Sequence, residues 1–133
     1  MDVSQINMVA ILVAAISRFA LGGIWYGPLF EKAWMKESGM TEEKMKSGNM
    51  LKIFGLSFVA SLIISIILAF FLGSQLSIVM GAVYGLLIGF GWVSMCLATN
   101  DLFEQRSFKL FAINAGYHTL SLTIMGAIIA AWQ

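Results

Sequence analysis

The chain is poor in the residues from which catalytic and metal sites are built. One cysteine, Cys96, stands among 133 residues, which excludes an intrachain disulfide and a cysteine-based metal set. Cys96 lies in an apolar run and is expected to be a small buried residue. One histidine, His118, and no carboxylate inside the apolar runs cannot complete a metal shell. No acid is paired with that histidine in sequence. The sequence therefore points to no enzyme and no cofactor. Only 11% of residues are charged, against about 25% in a soluble domain. The net charge of +1 and the confinement of most basic residues to one loop exclude a nucleic-acid partner.

What the chain has instead is apolar length. It is 59% hydrophobic with a mean hydropathy of +0.87. Its few charges cluster and leave four runs of about 20 residues, the length that crosses a bilayer core. These runs cover about 6–26, 51–72, 77–98 and 110–132. They predict a single domain, an all-α bundle of four transmembrane helices, with the lipid bilayer as solvent. The first run has Asp2 and no Lys or Arg ahead of it, so it reads as a retained helix and not a cleaved leader. Lys32, Lys36, Lys44, Lys46 and Lys52 flank or fill the first loop, and Arg106 and Lys109 the third. The positive-inside rule puts both loops in the cytoplasm and both termini outside. Trp25, Tyr26 and Trp34 then mark the inner interface and Trp132 the outer one.

The first loop has structure of its own. Leu29, Phe30, Ala33 and Trp34 share one face of a short amphipathic helix, expected to lie on the headgroups. Thr41, followed by Glu42 and Glu43, has the pattern of an N-cap. The segment 28–49 is the candidate docking site if the protein works through a partner. In the third run Gly81, Gly85 and Gly89 recur every four residues, with Gly91 close by. Such a ridge allows close backbone approach, which drives helix association in lipid. It fits packing inside the bundle first, with a contact between copies as the alternative, and the bundle is expected to form a homo-oligomer.

One residue stands apart. Arg18 lies inside the apolar stretch Met8 to Tyr26, which holds no acid. A guanidinium stays charged when buried. At the centre of a membrane helix it costs about 2.5–3.5 kcal/mol on insertion scales. Helical spacing puts it on one face with Asn7, Ile11, Ala14, Gly22 and Trp25, a stripe suited to face protein. His118 lies at a matching depth, roughly 12 Å from the inner end of its run. Asn114, Tyr117, Ser57 and Ser61 fall near the same level. These residues form a candidate polar layer, with Asp101 as the one available intrachain counter-ion. The layer can serve as a structural network that fixes register, or as the binding site of a small anion or small solute in transit.

Several motifs carry a resemblance. Asn7, the stretch from Gly22 to Phe30 with Trp34, Gly89-Phe90-Gly91-Trp92, the stretch from Asn100 to Arg106, Ile113 to His118, and Met125-Gly126-Ala127 together resemble the membrane family catalogued as domain of unknown function 1761. The resemblance implies a four-span, multi-pass protein of the bacterial inner (plasma) membrane and no assigned activity. The four-span small multidrug resistance exporters use an embedded glutamate in their first helix to bind cations. Arg18 in the first span here argues against cation export.

Overall fold

A computed structural model describes residues 3–132 of the chain; Asp2, weighed above, lies outside them. Every regular element among the described residues is helical. A short 3-10 turn, Val3–Gln5, precedes α1, Met8–Ile24, whose axis runs on through a π-helical turn at Trp25–Leu29. Two short helices follow, α2 at Glu31–Ser38 and α3 at Glu42–Ser47. Then come α4, Met50–Leu72, and α5, Ile78–Leu87. A π-helical segment at Ile88–Ser94 joins α5 to α6, Met95–Phe103, and α7 closes the chain at Phe108–Ala131. Four of the resulting helices are long and apolar enough to cross a membrane: Met8–Leu29, Met50–Leu72, Ile78–Phe103 and Phe108–Ala131. The protein is a multi-pass membrane protein.

Five helices, α1, α3, α4, α5 and α7, start where a polar side chain takes up a first free N–H group. Asn7 Oδ1 accepts from the amides of Val9 (2.9 Å) and Ala10 (3.2 Å). Asn49, Ser77 and Ser107 cap α4, α5 and α7 in the same way. Thr41 caps α3 through the Lys44 amide, as its sequence pattern predicts. The spans reach further than their apolar runs at one end. Pro28 does not stop the first, because the kink at Gly27 (φ −97°, ψ −108°) and the bond from Phe30 N to Trp25 O accommodate it. The third continues through Thr99, Asn100 and Asp101 to Phe103. Thr99 stays in the helix by returning its hydroxyl to the Met95 carbonyl at 3.1 Å.

Across the bundle the order is α4, α1, α7, α5: α4 packs on α1, α1 on α7, and α7 on α5. The glycine ridge makes the α5–α7 contact. A Cβ at Gly85 would overlap the Leu122 carbonyl, and one at Gly81 would meet Ala130 Cβ and the Gly126 backbone. One at Gly89 would lie 2.7 Å from Thr119 Cα. The ridge is thus consumed inside the chain and is not open to a second copy. Gly91 does not belong to it and faces open space.

Both ends of the chain meet at what is here called the terminal end. Asn7 Nδ2 donates to the Trp132 carbonyl at 2.8 Å, and the Ser74 hydroxyl bonds Gln5 Oε1. Below this closure lies the apolar core of Ile11, Ala14, Leu68, Ala69, Leu72, Leu122, Met125 and Ile129. At the opposite, basic-loop end, α2 folds back on α7. Its apolar face meets the bundle, not only the surroundings: Trp34 stands edge-on to Tyr26 at 5.8 Å, and Phe30 packs on Trp25 at 4.8 Å. Leu29 points away and is exposed. Cys96 is exposed too, on the outer surface of α6, not buried as its apolar setting predicts.

Candidate functional site

Arg18 sits near the midpoint of the first span, ten residues after Met8 and eleven before Leu29, or about 15 Å from either end. His118 lies ten residues after Phe108, at a similar depth in α7. Both are deeper than their apolar runs suggest, because the helices extend beyond those runs at the basic-loop end.

The structure brings Arg18, Tyr117 and His118 together. Arg18 Nη1 donates to the Tyr117 hydroxyl at 2.5 Å, and that hydroxyl donates in turn to the Arg18 carbonyl at 2.9 Å. The guanidinium carbon lies 4.8 Å from the centre of the Tyr117 ring, within cation–π range. Nη2 lies 3.2 Å from His118 Nδ1. An arginine can only donate, so Nδ1 accepts and the imidazole carries its proton on Nε2. A guanidinium has five N–H groups. Two are met by these neutral partners, and Nε is buried with no acceptor.

No carboxylate among the described residues answers the charge. Asp101, the expected counter-ion, makes no ion pair with Arg18; its Oδ2 is buried without a partner near the end of the third span. The one ion pair among the described residues is Arg106–Glu104 at 2.6 Å, on the exposed loop after α6. Ser57 and Ser61 do not reach the guanidinium either. Ser61 is buried and returns its hydroxyl to the Ser57 carbonyl at 3.0 Å, while Ser57 is exposed. Asn114 is turned to another partner: its Oδ1 accepts from the Tyr26 hydroxyl at 2.7 Å.

That contact belongs to an aromatic cover the sequence does not announce. The Tyr26 ring stands edge-on to Tyr117 at 5.3 Å, and Trp25 Nε1 donates to the Ile113 carbonyl at 2.8 Å. Gly22 and Gly116 make room for these rings. A Cβ at Gly22 would lie 3.1 Å from the Tyr117 oxygen, and one at Gly116 would lie 3.0 Å from Trp25. On the other side of α7, Ser94 serves the π-helical segment. Its buried hydroxyl donates to the Gly89 carbonyl at 2.7 Å and lies 3.1 Å from Thr119 Oγ1. Sequence reasoning missed Tyr26 and Ser94 as partners. The available signal was the polar handle itself, since a phenol or hydroxyl held in an apolar setting requires an acceptor.

Burial along the core-facing lines gives the site its shape. Towards the terminal end these lines are closed: Ile11 and Ala14 on α1, Ser61, Ser65, Leu68 and Leu72 on α4, and Leu122, Met125 and Ile129 on α7 are all buried. One turn further towards the basic-loop end they open together. Arg18, Gly22 and Trp25 are half-buried, and so are His118, Asn114 and Phe111. Phe58 is half-buried, and Ser57 and Phe54 are exposed. Leu110, Ile113, Ala115 and Tyr117, on the other faces of α7, remain buried at this level. Arg18 and His118 lie at this less buried level, and on the α4 side Phe19 stands edge-on to Phe54 and Phe58 at 6.0 and 5.8 Å.

The family described as Protein of unknown function (DUF1761) matches residues 9–130. The chain belongs to that family. The match spans all four membrane helices and every residue of the Arg18 cluster. Neither the curated proteins nor the solved structures contain a match to the chain.

Proposed function

We propose that the protein binds a small anion in the membrane plane at Arg18, through a vestibule that opens at the basic-loop end. The observation that carries this reading is a central guanidinium with an orphaned Nε–H and no carboxylate partner among the described residues. A charge held at mid-bilayer by two neutral groups leaves a strong electrostatic demand for a counter-ion. Lys and Arg in the two loops around the vestibule favour an orientation with those loops in the cytoplasm and the termini outside. They also raise the local anion concentration at its entrance. Handling of an anion or a small anionic solute, including its passage across the membrane, follows from this reading; cation export does not.

A second reading, docking of a partner on the segment 28–49, has less in its favour. Phe30 and Trp34, the side chains best suited to grip a partner, already pack on Trp25 and Tyr26.

The test is calorimetric titration of the purified protein in neutral detergent with sodium nitrate. Wild type is expected to bind and Arg18→Met to lose binding. Tyr117→Phe, which keeps the guanidinium, is expected to retain it. Equal heats from wild type and a folded Arg18→Met protein would refute the reading.

A further inference from the structure

We infer that the Arg18 site is built for a monoanion, specifically a singly charged oxyanion such as a carboxylate or a phosphodiester, and rejects dianions. This rests on the anion-binding reading above and sharpens it to a ligand class.

The charge count comes first. Arg18 brings one fixed positive charge. His118 adds none, because its Nδ1 must act as acceptor for Arg18 Nη2 at 3.2 Å and the ring is then neutral. Tyr117, Tyr26 and Asn114 are neutral partners, and Arg18 and His118 engage no acid among the described residues. The other basic residues all belong to the loops or their flanks, beyond the level of Arg18. The site therefore carries one net positive charge. A monoanion cancels it. A dianion leaves one negative charge uncompensated at mid-bilayer depth, where an unpaired ion is strongly disfavoured.

The donor count comes second. Tyr117 has no proton left to offer, because its hydroxyl donates to the Arg18 carbonyl. The Tyr26 hydroxyl is committed to Asn114 Oδ1. What remains is a set of N–H donors: one proton on each Arg18 Nη, His118 Nε2 and Asn114 Nδ2, with the buried Arg18 Nε–H behind them. His118 is half-buried, and its ring meets the guanidinium through Nδ1, which leaves Nε2–H free of a protein partner among the described residues. A site of donors alone suits a ligand that only accepts, with two or more oxygens to span them.

The same chemistry can come from the aqueous phase as a free carboxylate or from the bilayer as a lipid phosphodiester. The experiment separates the two sources and uses the intact protein. The probes are sodium acetate and sodium sulfate in neutral detergent, and nanodiscs containing phosphatidylglycerol in place of phosphatidylcholine. The site readout is the nitrogen and proton shift of the Arg18 Nε–H resonance, assigned by its loss in Arg18→Lys. Acetate is expected to move that resonance and to bind tighter than sulfate by on the order of a hundredfold. A shift in phosphatidylglycerol nanodiscs without one from acetate supports the same ligand class drawn from lipid. Sulfate binding as tightly as acetate overturns the monoanion inference and leaves the anion site standing. No shift from acetate, sulfate or phosphatidylglycerol overturns both. His118→Gln keeps a neutral amide at the position and is expected to preserve the preference; loss of the preference with binding intact contradicts the role assigned to the imidazole.

Discussion

Replacing Tyr117 by Phe removes one oxygen and nothing else, which makes it the sharpest probe of the Arg18 cluster. The ring is 8% exposed and would keep its edge contact with Tyr26 and its place beneath the guanidinium. Two hydrogen bonds disappear, one accepted from Nη1 at 2.5 Å and one donated to the Arg18 carbonyl at 2.9 Å. In water-soluble proteins a bond to a charged group is worth about 1.5–3 kcal/mol. Between membrane helices the measured average is about 0.6 and the maximum about 1.7 kcal/mol, because the unfolded chain in the membrane also finds partners. The charged donor places this case near the upper membrane value. The expected cost is about 1.5 kcal/mol, roughly twelvefold in the folding equilibrium. In an Arg18→Met background the hydroxyl keeps only its bond to the carbonyl, and the same substitution is expected to cost less than about 0.5 kcal/mol. The assay is reversible unfolding in mixed micelles of increasing denaturing detergent, followed by the fluorescence of the four tryptophans. A coupling energy below about 0.3 kcal/mol in that double-mutant cycle would refute the assignment of Tyr117 as the principal partner of Arg18.

Three further outcomes follow from the packing. Gly85→Ala drives a methyl group onto the Leu122 carbonyl and is expected to destabilise the bundle by about 1–3 kcal/mol; Gly91→Ala, with nothing within 4 Å, is the neutral control, and equal effects would contradict the ridge. Ser94→Ala removes the buried hydroxyl that meets the Gly89 carbonyl and is expected to cost about 1–2 kcal/mol, seen in the same unfolding assay together with faster amide exchange across 88–94. Trp34→Ala removes the edge contact on Tyr26, worth about 0.5–1.5 kcal/mol, and is expected to speed tryptic cleavage at Lys36 while leaving the unfolding of the bundle almost unchanged. Unaltered cleavage would place the docking of α2 on other contacts.

Much of the architecture is legible in the residues, for a physical reason. A bilayer allows only internally bonded helices across it when the spans are this long and apolar, so four apolar runs dictate four helices. The stripe of Ile11, Ala14 and Arg18 was readable from helical spacing alone, and Ile11 and Ala14 are buried. Equal depth on two helices likewise anticipated that Arg18 would meet Tyr117 and His118. The remainder was hidden by the same solvent. Lipid and core are equally apolar, so a run such as Met95 to Ala98 does not reveal which side faces protein, and Cys96 was placed on the wrong one. Span ends were misjudged at Tyr26 and Ala98 because polarity ends an apolar run, whereas a helix ends where its backbone loses partners. Thr99 returns its hydroxyl to Met95, and the bond from Phe30 N to Trp25 O carries the chain past Pro28. The extra residue in each π-helical stretch has no signature that spacing detects. Asp101 is the acid nearest the expected level of Arg18 in sequence terms, yet it lies near a helix end while Arg18 lies at mid-span.

The central claim is that water, and an anion with it, reaches the level of Arg18 from the basic-loop end. The most direct measurement is the labelling of Ser57→Cys in a Cys96→Ser background by a negatively charged, membrane-impermeant thiosulfonate. Ser57 is exposed one turn from buried Ser61, on the wall of the proposed vestibule. The account predicts rapid modification when the reagent is presented to the basic-loop side, and slow modification from the terminal side. Reaction with a lipid-soluble maleimide only, from either side, would mean that this wall faces hydrocarbon, and would contradict the account.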